Sequence, residues 1–142
     1  MSPKVDFYIL HFQKELEKER FICRLTDKAW HQGYRIYIHA DSIGQAKILD
    51  DMLWTFRQDS FLPHALYTPE DETTPIQIGH ISDNFCQNMQ VLVSLTKTVP
   101  DFYPHFERVA EFVDANDRVA GRERYRFYRD QECELVSHDI YP

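Results

Sequence analysis

The sequence predicts an α/β fold, a single domain over residues 1–142 with a mostly parallel sheet flanked by helices. Three observations carry that expectation. Short apolar runs of strand length alternate with longer stretches of helical period, which is the order that builds βαβ units. A glycine and a capping motif punctuate the first two helical stretches. A chain of 142 residues with 43% hydrophobic and 14% aromatic content can bury one core without staples.

Taken in order, Val5–Leu10 (VDFYIL) is a buried strand. Lys14–Gln32 follows at helical period, with Ile22, Leu25 and Ala29 on one face, Leu16 and Trp30 beside them, and Gly33 as the left-handed stop. Tyr34–Ile38 (YRIYI) is the second strand. Ser42 and Gln45 form a capping box, and Ala46, Leu49, Leu53 and Phe56 continue as a helix. Ser60–Glu72 reads as loop and turn, broken by Pro63 and Pro69. Pro75–Ile78 is a short strand beside an exposed edge, Val91–Leu95 a central strand and Asp101–Pro104 a turn. Val109–Val113 is a further strand. A basic helix occupies Asn116–Arg129, and Leu135 and Val136 mark an edge strand in the tail.

Charge narrows the function. The net charge is −7, so general duplex binding through phosphates is disfavoured. Against that background Asn116–Arg129 holds Arg118, Arg122, Arg124, Arg126 and Arg129 against Asp117 and Glu123. At 100° per residue Arg118, Arg122, Tyr125 and Arg129 share one face. Val119, Ala120 and Phe127 fall on the other side, where they would face a core. Like charges at i, i+4 cost an isolated helix roughly 0.2–0.5 kcal/mol per pair, a cost that an anionic partner offsets. The competing reading is a solvated face whose arginines pair with local carboxylates.

Several chemistries lack their residues. The turn after Leu10 reads HFQKELEKER, without the glycines that let a backbone approach a pyrophosphate, and no GxxxxGK[ST] occurs. No GxSxG elbow is present. His11, His31, His39, His64, His80, His105 and His138 fall in no ligand spacing, so neither a metal nor a cofactor is expected. His39, Asp41 and Ser42 sit where the second strand ends, but Asp41 and Ser42 are also ordinary helix-start residues. Cys23, Cys86 and Cys133 are far apart with no CxxC, and read as reduced buried thiols. No signal peptide and no run of the ~20 apolar residues of a membrane span point to a cytoplasmic location.

The segment Trp54–His64 (WTFRQDSFLPH) is the second informative stretch. Trp54, Phe56, Phe61 and Leu62 crowd a helix end and the loop after it, either to pack inward or to form a protein-binding patch.

Together these runs resemble the chi subunit of bacterial DNA polymerase III, the HolC family. The similarity lies in VDFYIL, LTDKAWHQGYRIYI, LDDMLW, DSFLPHAL, PIQIG, LVSL, EFV and RERYRFYR, from Val5 to about Arg129. The resemblance implies a Rossmann-like fold without nucleotide chemistry and a non-catalytic, accessory role in the clamp-loader assembly. It implies binding to the acidic, phenylalanine-ended tail of single-stranded DNA-binding protein, pairing with the psi subunit, and contact with DNA mainly through these partners. It assigns Val113, Arg118, Arg122 and Tyr125 to the tail site, although the segment between Val113 and Arg118 is shorter than the family pattern. It assigns Trp54 and Phe61 to a surface that meets psi or, in some bacteria, a helicase. A chi-like chain would be a monomer that becomes a heterodimer with psi.

Two other classes compete. A small α/β enzyme would need a site with no recognisable motif. Direct single-stranded DNA binding would stack bases on Tyr125 and Tyr128, against the overall charge.

Overall fold

The computed structural model describes residues 2–59, 61–81, 85 and 87–142; Ser60 at the start of the expected loop, and Cys86, lie outside them. The strands are β1 (Lys4–Leu10), β2 (Ile36–His39), β3 (His64–Leu66), β4 (Ile76–Gly79), β5 (Val91–Ser94), β6 (Arg108–Val113) and β7 (Glu134–Ile140). The helices are α1 (Glu17–His31), α2 (Ile43–Thr55) and α3 (Arg118–Asp130).

They form one seven-stranded sheet in the order β3-β4-β2-β5-β6-β1-β7, with every pairing parallel. The fold is α/β, as the alternating pattern predicts. Residues of β2, β4 and β5 are buried on both faces, which is why these runs are apolar without alternation. β7 alternates between exposed and half-buried, as an edge strand does.

The sheet separates two cores. On one face Ile22, Leu49 and Leu53 of α1 and α2 meet Ile36, Ile38, Ile76 and Phe112. On the other, Tyr128 of α3 and Tyr103, Phe106 and Met89 cover Val5, Phe7, Leu92 and Val109. Free Cys23 and Cys133 are both buried. Among the described residues no helix is long and apolar enough to cross a membrane.

Gly33 stops α1 at φ 95°, and its N–H donates to the Trp30 carbonyl at 2.9 Å. Ser42 Oγ accepts from the Gln45 N–H at 3.1 Å, while Gln45 Oε1 accepts from the Asp41 N–H at 2.8 Å. His39, under the ring of Phe102, is held below the usual histidine range by burial, then by His80.

Three expectations are corrected. α1 and β2 begin later, at Glu17 and Ile36. The Ser60–Glu72 loop contains β3, which occupies the sheet edge, so β4 is covered. The Asp101–Pro104 turn is present and runs into a 3-10 turn over Tyr103–His105. Val119 and Phe127 do not face the core, being 69% and 41% exposed, and Ala120 is half-buried; Gly121, Arg124 and Tyr128 are buried instead. Phe127 packs at the side, edge-on to Tyr103.

Asp6 ties three strands together. Its carboxylate accepts from Arg108 of β6 at 2.9 Å and lies 2.9 Å from His138 Nε2 of β7. Burial pushes its pKa up, but these two partners outweigh burial and leave it below the ordinary value of 3.8. A lowered carboxylate stabilises the fold above its unfolded value and loses that contribution as pH falls through its folded value. Asp6→Asn is therefore expected to cost about 1–2 kcal/mol near neutral pH, with a shallower loss of stability in acid. Urea unfolding across a pH series checks both.

Candidate binding site beside the basic helix

The site begins with how α3 is seated. Arg124, only 3% exposed, points into the protein. Its Nε donates to Glu111 Oε1 at 2.9 Å, and its terminal nitrogens donate to Asp117 Oδ2 and the Phe112 carbonyl at 2.9 Å and to the Lys97 carbonyl at 3.0 Å. Tyr128 donates to the other Glu111 oxygen at 2.7 Å. The wholly buried Glu111 is pushed by desolvation to about 7, with Arg124 and Tyr128 acting against burial. The Tyr128 hydroxyl is pushed far upward by burial and by the Glu111 charge.

With Arg124 inside, Arg118, Arg122 and Tyr125 turn to one side. They line a cavity of about 330 Å³ together with Val113 at the end of β6. All four residues assigned to the tail site thus line one cavity; Arg129, on the same predicted stripe, does not, and is exposed beside Asp130. The floor is apolar, from Phe7 and Ile9 of β1, and Tyr125 meets Phe7 edge-on at 5.2 Å. His11 and Ser137 complete the lining. The cavity lies at the carboxyl ends of β1 and β6, where open α/β sheets commonly hold ligands.

Gly121 makes the close approach possible. A Cβ there would come within 2.7 Å and 2.8 Å of the Val113 methyl groups. Sequence reasoning missed Gly121, Phe7, Ile9, His11 and Ser137 as cavity residues. For Gly121 a signal existed, a glycine inside an otherwise good helix, which often marks close packing. For the others only strand pairing brings them to α3.

At the first turn of α3, Asp117 does not cap the helix with its side chain, which is committed to Arg124. No acidic residue stands in that turn, and Arg118 does. Its positive charge adds to the positive end of the helix dipole, an arrangement that favours an anion.

Trp54 and Phe61 form a separate surface. They are 48% and 67% exposed, with ring centroids 5.4 Å apart. Trp54 also lies against His64, centroids 4.3 Å apart. The ring nitrogens of His64 lie 2.7 Å from the Leu62 carbonyl and 2.9 Å from the Asp50 carbonyl, which fixes the ring under Trp54. Of the other two apolar residues in this segment, Leu62 is buried and Phe56 packs against the core.

Fold and cavity define a parallel α/β domain with a basic, apolar-floored pocket at its strand ends and no glycine loop after β1. The comparisons agree on its kind. Residues 2–136 match the family described as DNA polymerase III chi subunit, HolC. The chain is 37% identical over 139 residues to DNA polymerase III subunit chi of Pseudomonas aeruginosa, covering 96% of each. It is 30% identical over 143 residues to that of Haemophilus influenzae, covering 99% of each. It is 31% identical over 114 residues to that of Escherichia coli, covering 78% of each. The chain belongs to the DNA polymerase III chi subunit family, and so to the accessory, non-catalytic part of that polymerase. The fold is also similar to the crystal structure of T4 UvsW, at a TM-score of 0.71 and 11% identity, over 97% of this chain and 41% of that one.

Gly121→Ala is expected to force α3 away from Val113, costing about 1–3 kcal/mol as overpacking does. Thermal unfolding checks the stability, and chemical-shift changes at Val113 and Tyr125 check that the disturbance is centred on the cavity.

Proposed function

We propose that the cavity beside α3 binds the acidic, phenylalanine-ended tail of single-stranded DNA-binding protein, and so links that protein to DNA polymerase III. The observation that carries this reading is one cavity with two chemistries. Arg118 and Arg122 stand on its α3 wall, and Phe7 and Ile9 form its floor. Arginine pairs bidentately with carboxylates. An apolar floor receives an aromatic ring. A volume of about 330 Å³ falls within the range of ligand pockets. Membership in the chi family supports the same partner.

We also propose that Trp54 and Phe61 dock a second protein, the psi subunit or a helicase, in the cytoplasm. Exposed neighbouring aromatics are the usual anchors of such interfaces. The single-stranded DNA reading loses support, because Tyr128 is fully buried and cannot stack on bases. DNA contact through the partners remains part of this proposal.

A fluorescent acidic peptide ending in phenylalanine with a free carboxylate is expected to bind in the micromolar range and to weaken with salt. Arg122→Ala, or removal of the last phenylalanine, is expected to abolish most of the signal. Absence of wild-type binding at low salt would rule the tail out as the ligand. For the second surface, Trp54→Ala with Phe61→Ala is expected to cut affinity for psi at least tenfold while leaving tail binding intact. Calorimetry with purified psi measures this; unchanged affinity would exclude the surface.

A further inference from the structure

His11 lines the cavity just beyond the end of β1, and neither the family assignment nor the charge pattern of α3 gives it a role. It follows β1 directly, and its backbone N–H donates to the Ile140 carbonyl at 2.9 Å. Its Nε2 lies 2.8 Å from Asp139 Oδ1. Its ring stacks on Tyr141, with centroids 4.5 Å apart and planes 10° apart. These contacts fix the imidazole, and with Nε2 engaged, Nδ1 is the nitrogen left for a ligand. Ser137, Asp139 and Tyr141 all lie beyond residue 136, where the family match ends, so this wall is built by the segment outside the match.

We propose that His11 is a specificity-determining contact of this pocket, its protonated ring donating from Nε2 to Asp139 and from Nδ1 to a carboxylate of the bound peptide, with Asp139 and Tyr141 as its positioning residues. The inference rests on the acidic-tail reading and deepens it. The arginines of the cavity all stand on the α3 wall. Off α3, the side-chain donors lining the cavity are His11 and Ser137, and of these two only His11 can meet a carboxylate with a positive charge. His11 has a further effect. Asp139, 2.8 Å from this lining residue, would repel an acidic ligand, and its pairing with the protonated ring offsets that charge.

The charged groups facing His11 are Asp139 from β7 and Arg118 and Arg122 across the cavity on α3. Glu111, buried beneath α3, is pushed above the ordinary carboxylate range by desolvation and adds a pH dependence of its own. The test must therefore separate His11 from Glu111, which substitution at position 11 alone does.

The experiment titrates the fluorescent acidic peptide against wild type, His11→Gln and His11→Lys at about pH 6 and about pH 8. Wild type is expected to bind more weakly at the higher pH. H11Q is expected to lose about three- to tenfold at the lower pH, with a reduced pH dependence. H11K keeps a positive charge at both pH values and is expected to bind more tightly than H11Q at the higher one. Two altered peptides, one ending in a carboxamide and one with its aspartates changed to asparagine, show which carboxylate His11 meets. The loss in H11Q disappears for the peptide lacking that group. Thermal unfolding of the variants confirms that each is folded. Equal binding by wild type, H11Q and H11K at both pH values overturns the role of His11 and leaves the pocket standing. Failure of wild type to bind the peptide at all overturns the acidic-tail reading, and this inference with it.

Discussion

Glu111 sits within β6 with its side chain removed from water, and Arg124 reaches it at 2.9 Å from the middle of α3. Taking both charges out of solvent costs several kcal/mol per ion, and only full hydrogen bonding offsets it. Here that condition is met by Tyr128, Asp117 and two backbone carbonyls. Removing either partner strands the other, at about 3–5 kcal/mol. The pair therefore fixes the rotation of α3. Arg118, Arg122 and Tyr125 lie roughly 100–160° around the helix from Arg124, and Val119 lies on the far side in solvent. The face that lines the cavity is set by the residue that does not touch it.

This explains what the sequence made legible and what it did not. Strand and helix periods are local, so β1, α1, β2, α2, β5 and β6 could be placed from spacing. The grouping of Arg118, Arg122 and Tyr125 is local too. The burial of Arg124 is not. By residue type it belongs outside and Phe127 inside, and the exchange follows from an acid on another element. The cavity floor is equally non-local. Phe7 pairs with Ser137 and Ile9 with Asp139, so the first and last strands must be neighbours before His11 can meet α3. β3 was hidden because three residues after a proline carry almost no periodicity.

The sheet also separates the two surfaces. α2 lies on one face and α3 on the other. Trp54 and Phe61 precede β3 at one edge, and the cavity opens beside β7 at the other. At about 4.8 Å per strand the two edges are on the order of 30 Å apart. On the proposed reading, partners on these surfaces need not compete, and the parallel sheet between them holds their spacing.

The acidic body shapes the binding that such a pocket can support. With a net charge of −7, long-range forces oppose an acidic peptide, and attraction is confined to the basic wall of α3. Salt weakens contacts between exposed charges, and exposed ion pairs contribute only about 0–1 kcal/mol each. Arginines alone would then bind any acidic segment weakly. Discrimination must come from what the cavity adds to charge: the floor of Phe7 and Ile9, and the closeness of α3 to β6 that Gly121 permits. A peptide with the right charges and no aromatic end meets the wall and leaves the floor unfilled. On the proposed reading, selectivity depends on Gly121 and Arg124, which position the wall, as much as on Arg122, which stands on it.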